Sequence, residues 1–176
     1  YLVQYNKRFP RIAKHIKQQH KFVERNGFVY NLFGRKRRLP NIFLPMKHKE
    51  DRDKNWGKVA EAQRQSVNAP IQGAASDYTQ FSSILIWEKI QTGELPKSMI
   101  QAYTVHDSLG YFVKPKDIHK VDKICVEVCS NPETMEWFGF QIDSVKMKVD
   151  SEVSHLSWGD LGRYHPETDY TKLVVT

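Results

Sequence analysis

Apolar residues near positions 2, 5, 9, 12, 16 and 22 recur every three to four residues, which predicts a helix over residues 1–25. Asn26-Gly27 supplies the stop, and Pro10 predicts a bend or a fresh start inside it. Residues 28–39 change character: FVYNLF and RRL flank Gly34-Arg35-Lys36, the pattern of a β-hairpin. Residues 40–55 read as a polar, proline-bearing loop. Helical spacing resumes over residues 56–69 and again over 77–90, where Tyr78, Phe81, Leu85 and Trp87 mark the apolar side. Pro70 predicts that the first of these helices bends or ends there.

The second half switches period. Residues 100–105 and 109–113 are β-rich runs around His106-Asp107-Ser108, which predicts a tight strand-turn-strand unit. Residues 116–129 return to helix, with Ile118, Val121, Ile124, Cys125 and Val128 on one side. Residues 145–149 alternate apolar and charged positions, as a half-buried strand does. Helices with directly joined hairpins predict an α+β fold with an antiparallel sheet. There is no internal repeat and no low-complexity tract.

Composition excludes several classes. With 176 residues, 40% hydrophobic and 12% aromatic, the chain can build a core and is not a disordered segment. No apolar run approaches the ~20 residues that span a bilayer, and no signal-like segment opens the sequence, so no membrane partner is expected. Two cysteines, Cys125 and Cys129, are too few for a disulfide framework and point to a reducing, cytoplasmic setting. With His119 they could ligate a metal. No second closing pair follows at zinc-like spacing, so packed helix thiols are the simpler account.

Charge divides the chain more sharply than its total of +7 suggests. Residues 1–65 hold 17 basic against 5 acidic residues, a net of +12, and residues 66–176 hold 10 against 15, a net of −5. A polyanion is the natural partner of the first part, and the basic turn with Arg35 and Arg37 is its densest stretch. In EAQRQSVNAPIQG, Arg64, Asn68 and Gln72 stand four residues apart and would line one helix face over about 12 Å. All three donate hydrogen bonds. The minor groove offers acceptors at every base pair, so such a row can sense base-pair shape without reading sequence. Taken alone, a polar stripe is more often plain solvent surface. Asp107 on a sheet turn suits Mg²⁺, which prefers oxygen ligands, and His106 beside it could donate to a base or sugar. A lone His-Asp dipeptide is more often a turn satisfying its own backbone.

Together, NLFGRKRRLPNI, RQSVNAPIQGAASD and VHDSLGYFV resemble family A DNA polymerases, the bacterial DNA polymerase I group and its phage relatives. The resemblance runs over essentially the whole chain. It implies that residues 1–65 are the basic end of the fingers with a hairpin, and that residues 66–176 are the C-terminal half of the palm. It implies primer–template DNA and deoxynucleoside triphosphates as partners. It makes Asp107 one of two catalytic Mg²⁺ ligands, and Arg64, Asn68, Gln72 and His106 contacts to the primer–template. Two departures stand out. The family usually has Glu where this chain has Ser108, a form that resembles single-subunit RNA polymerases, although NAPIQGAASD looks like the DNA-polymerase version. The family's other metal-binding Asp has no match here, so the resemblance implies a fragment that needs the upstream remainder of the polymerase. A non-catalytic duplex-binding module is the alternative from a different class.

Overall fold

The expected break near Pro10 is the first feature of the computed structural model, which describes residues 2–131, 136, 139 and 147–172. Helix α1 (Leu2–Arg8) stops at Phe9, and Pro10 opens α2 (Pro10–Asn26), where a missing N–H costs nothing. Gly27 then closes α2 in the left-handed conformation, at φ 71°, its N–H donating to the Val23 carbonyl. The Phe43 ring lies so close over Gly27 that no Cβ would fit. Strands β1 (Phe28–Tyr30) and β2 (Lys36–Arg38) form the expected hairpin, pairing Phe28 with Arg38, Val29 with Arg37 and Tyr30 with Lys36.

The loop expected over residues 40–55 is largely ordered as helix. A 3-10 turn (Pro40–Phe43) leads into α3 (Lys49–Thr92), and the two helices expected on either side of Pro70 are one helix of 44 residues. Glu50 and Asp51 fall in its first turn, where the helix dipole favours negative charge. The buried Asn55 amide donates to the Pro45 carbonyl at 2.9 Å, and Arg52 donates to the Lys47 carbonyl at 3.0 Å, tying the incoming chain to the helix. Pro70 removes a single backbone bond, the one its own N–H would have made to Ser66. Its cost of ~3 kcal/mol is borne by a helix already anchored through Val59, Ala62 and Ala69.

The chain divides into two packing units, residues 1–75 and 76–176. In the first, Val23, Val29, Leu39, Ile42, Val59 and Ala62 form the core. In the second, Ile86, Leu95, Met99, Val121 and Val128 do so, with Leu109, Tyr111, Ile124 and both cysteines packed against them. Here the buried stripe of α3 is not quite the expected one: Tyr78, Phe81 and Leu85 are half-buried, Trp87 is exposed, and Ser82 and Ile86 are fully buried.

Strands β3 (Ile100–Val105) and β4 (Ser108–Phe112) make an antiparallel pair, followed by α4 (Ile118–Ser130). A further short pair, β5 (Glu152–Val153) with β6 (Gly162–Arg163), has no counterpart among the expected elements. The strand expected over residues 145–149 lies partly outside the described residues, and residues 147–149 join no ladder. The fold is mixed α and β, with three two-stranded antiparallel sheets among the described residues in place of one larger sheet. No helix among them is long and apolar enough to cross a membrane.

Candidate catalytic turn and nucleic-acid interface

Val105 pairs with Ser108, so His106 and Asp107 alone form the loop between β3 and β4. His106 has φ 54°, making it the single non-glycine residue with positive φ among the described residues. A side chain there costs on the order of 1 kcal/mol or more, and such strain persists where the surroundings impose it. The strands on either side of the turn are packed on both faces. On the inner face of β4, Leu109 and Tyr111 pack into the core of the second unit. On the other face, the Tyr103 ring lies directly over Gly110 and stacks on Trp158, centroids 4.9 Å apart at 29°.

Nearer α3, Ser83 Oγ donates to Gln101 Oε1, and Gln101 Nε2 donates to Thr104 Oγ1, both at 2.9 Å. The hairpin is thus fixed along its length while its tip stays open: His106, Asp107 and Ser108 are all exposed. Among the described residues nothing hydrogen-bonds or ion-pairs the Asp107 carboxylate. That suits a ligand for a hard cation, yet no cluster of three His, Cys, Asp or Glu side chains among those residues could hold a metal. Asp107 fits as one member of an oxygen-rich set and cannot complete it.

Arg64, Asn68 and Gln72 are exposed and share one side of α3 in the first unit. Arg64 is not idle. Its Nε donates to Glu61 Oε2 at 3.1 Å and its Nη2 to the same oxygen, while Gln65 donates to Oε1 at 2.9 Å. These bonds, the Arg64 one foremost, hold the Glu61 carboxyl below the usual carboxylate range. The ion pair is solvent-exposed, 71% and 47%, so it is weak and an incoming polyanion can displace it. The sequence alone gives Glu61 no role. Its only signal there is its position three residues before Arg64.

The two hairpin arginines diverge. Arg35 Nη2 donates to the Gly73 carbonyl at 3.3 Å, clasping the hairpin loop to α3. That loop is shaped by Asn31, whose side-chain oxygen accepts from the N–H groups of Phe33 and Arg35 at 3.1 and 2.8 Å. Gly73 lets the loop approach, with Asn31 closely packed against it. Arg37 is exposed and lies across from buried Val29. As for the cysteines, burial pushes Cys125 up to about 12 and raises Cys129 as well, and His119 is engaged by Tyr164 at 2.8 Å.

The sequence model described as DNA polymerase family A matches residues 1–160. The chain belongs to DNA polymerase family A. Among relatives, it is 33% identical over 161 residues to a DNA polymerase of Bacillus phage SP01, covering 91% of this chain and 16% of that one. It is 29% identical over 185 residues to a DNA polymerase of Escherichia phage T5, covering 99% and 20%. The chain therefore spans a fifth or less of the length of these family members. Among solved structures, the POL domain of Pol1 from M. smegmatis, in complex with DNA primer-template and dNTP, superposes with a TM-score of 0.60 at 24% identity. The match covers 74% of this chain and 21% of that one. At that identity it shows a shared fold.

Proposed function

We propose that this chain is part of a template-directed DNA polymerase that adds deoxynucleotides to a primer 3′ end. The observation that carries the reading is the family A match over residues 1–160, within which Asp107, exposed and without a partner among the described residues, sits at the tip of a clamped hairpin. The named relatives are DNA polymerases, which favours the DNA reading of NAPIQGAASD over the RNA-polymerase look of Ser108. Residues 1–65 would serve as the end of the fingers and residues 66–176 as part of the palm.

In this reading Asp107 contributes one carboxylate to a Mg²⁺ site whose remaining carboxylate comes from the upstream remainder of the polymerase. When bound, a pair of such ions stabilises the attacking and leaving oxygens of phosphoryl transfer. His106 is held outward by its strained backbone, where it donates to the primer end. Arg64, Asn68 and Gln72 donate to minor-groove acceptors, with Arg64 exchanging Glu61 for the duplex. Arg35 acts through position, holding the hairpin against α3, and Arg37 adds to the basic surface that meets phosphates. The phage and bacterial relatives support a cytoplasmic setting for this activity, in a bacterial or phage-infected cell.

The test is Asp107→Asn in the polymerase that contains this chain. Removing the charge while keeping the shape should lower single-turnover incorporation by about 10²- to 10³-fold or more, with primer–template affinity held. Ser108→Ala should be much milder, since a hydroxyl is a weak Mg²⁺ ligand. Near-normal incorporation by Asp107→Asn would overturn the assignment.

A further inference from the structure

Successive residues of a strand face opposite ways, so the register of β1 with β2 sorts the basic hairpin into two faces. Val29 is 1% exposed and belongs to the core of the first unit, so Arg37, its partner, shares that face of the ladder while itself staying exposed. The outer face therefore carries Phe28 opposite Arg38 and Tyr30 opposite Lys36. The two aromatics line one strand there and the two cations line the other. Phe22 of α2 extends the row, its ring edge-on to Phe28 at 5.8 Å, and Phe28 meets Tyr30 at 5.1 Å. The Lys36 ammonium stands 4.0 Å from the Phe28 centroid and 5.4 Å from that of Tyr30. Tyr30 is 47% exposed and Phe22 40%. Among the described residues, no carboxylate pairs with Lys36 or Arg38.

We propose that this outer hairpin face binds single-stranded DNA, with a base stacked on Tyr30 and flanking phosphates on Lys36 and Arg38. Exposed rings offer something only to partners with accessible flat faces. A duplex hides its base faces within its own stack, whereas an unpaired strand presents them beside a continuous row of phosphates. Lys36 and Arg38 stand two residues apart on one strand, a spacing that suits neighbouring phosphates of an extended chain. The Lys36 ammonium sits closest to Phe28, at 4.0 Å, and farther from Tyr30, at 5.4 Å. The Tyr30 ring stays half open, and Arg38 has no counter-charge among the described residues. That the strand is unpaired template ahead of the primer end rests on the polymerase reading, but the stacking does not.

The experiment measures anisotropy of the chain with a short fluorescent oligo(dT) and, in parallel, with a blunt hairpin duplex. Tyr30→Ala should weaken oligo(dT) binding about tenfold, the scale of one base–aromatic stack, and leave duplex binding unchanged. Tyr30→Phe should keep the affinity, because the ring and not the hydroxyl is used. Lys36→Ala and Arg38→Ala should each flatten the salt dependence for oligo(dT) by about 0.7 for every phosphate left without its cation. No oligo(dT) binding by the unaltered chain overturns the proposal, as does an equal loss for both DNA forms or no loss in Tyr30→Ala. If Tyr30→Ala behaves as expected while Asp107→Asn leaves incorporation intact, the platform stands and the polymerase reading falls. The reverse pattern removes the platform alone.

Discussion

Gly110 is the residue on which the candidate catalytic hairpin is most tightly built. A Cβ added there would stand 2.6 Å from Tyr103 Cε2 and nearer still to Cζ and Cε1, where ordinary carbon contacts are about 3.5–4.0 Å. The Tyr103 ring would have to retreat by about an ångström or more, and Trp158 stacks against it. Retreat forfeits that stack, worth ~0.5–1.5 kcal/mol, and overpacking typically costs ~1–3 kcal/mol in all. Alanine regains ~0.5–1 kcal/mol over glycine inside a strand. Gly110→Ala should therefore destabilise by about 1–2 kcal/mol, a drop in Tm of roughly 2–8 °C for a chain of this size. The decisive assay repeats the substitution in a Tyr103→Ala background. With the ring gone the clash is gone, so Gly110→Ala should become neutral or slightly stabilising, and the sign reversal is the coupling. Thermal denaturation reads it. An equal cost in both backgrounds would refute this account of why glycine stands at 110.

On α3, Arg64→Ala and Gln72→Ala in the complete polymerase should narrow the preference for matched over mismatched primer ends by several-fold to tens-fold. Each missing bond is worth about 1 kcal/mol, more for charged Arg64. Primer-extension ratios check it, and unchanged ratios in both variants would mean the stripe only faces solvent. In the second core, burial raises Cys125 to about 12 from a usual thiol value near 9. The folded state thus holds its proton more tightly than the unfolded chain. The resulting stabilisation is fully present below about pH 9 and is lost as pH rises toward 12. Native Cys125 should resist iodoacetamide at pH 8 and react promptly in denaturant; equal rates would contradict its burial.

The parts legible in the sequence are those written in local chemistry. Pro10 and Gly27 fix the ends of α2, and the hydrophobic runs around His106-Asp107 place β3 and β4 within a residue. The first two turns of α3 are illegible because KEDRDKN has almost no apolar residue from which to read a period. What makes them helical is the acidic first turn and the bonds from Asn55 and Arg52 to carbonyls before the helix. Pro70 misleads for the opposite reason: its local rule is sound, but tertiary anchoring on Val59, Ala62 and Ala69 outweighs one missing bond. The hairpin arginines show a finer limit. Composition marks the stretch as basic, yet only the strand register separates Arg37, across from buried Val29, from Lys36 and Arg38 beside the rings.

The candidate site residues share one trait: Arg64, Asn68, Gln72, His106 and Asp107 are all exposed, and burial orients none of them. Side chains so placed would wander if their backbones did, and functional geometry tolerates errors of only about half an ångström. The chain meets this by fixing main chain instead. The donors project from a helix, whose spacing is set by its hydrogen bonds. Asp107 projects from a two-residue turn between strands packed on both faces, by Leu109 and Tyr111 within and by Gly110, Tyr103 and Trp158 without. Rigidity in this molecule lies directly beneath its candidate site. A substitution such as Gly110→Ala, which touches no DNA and no metal, should therefore reach incorporation through the position of Asp107.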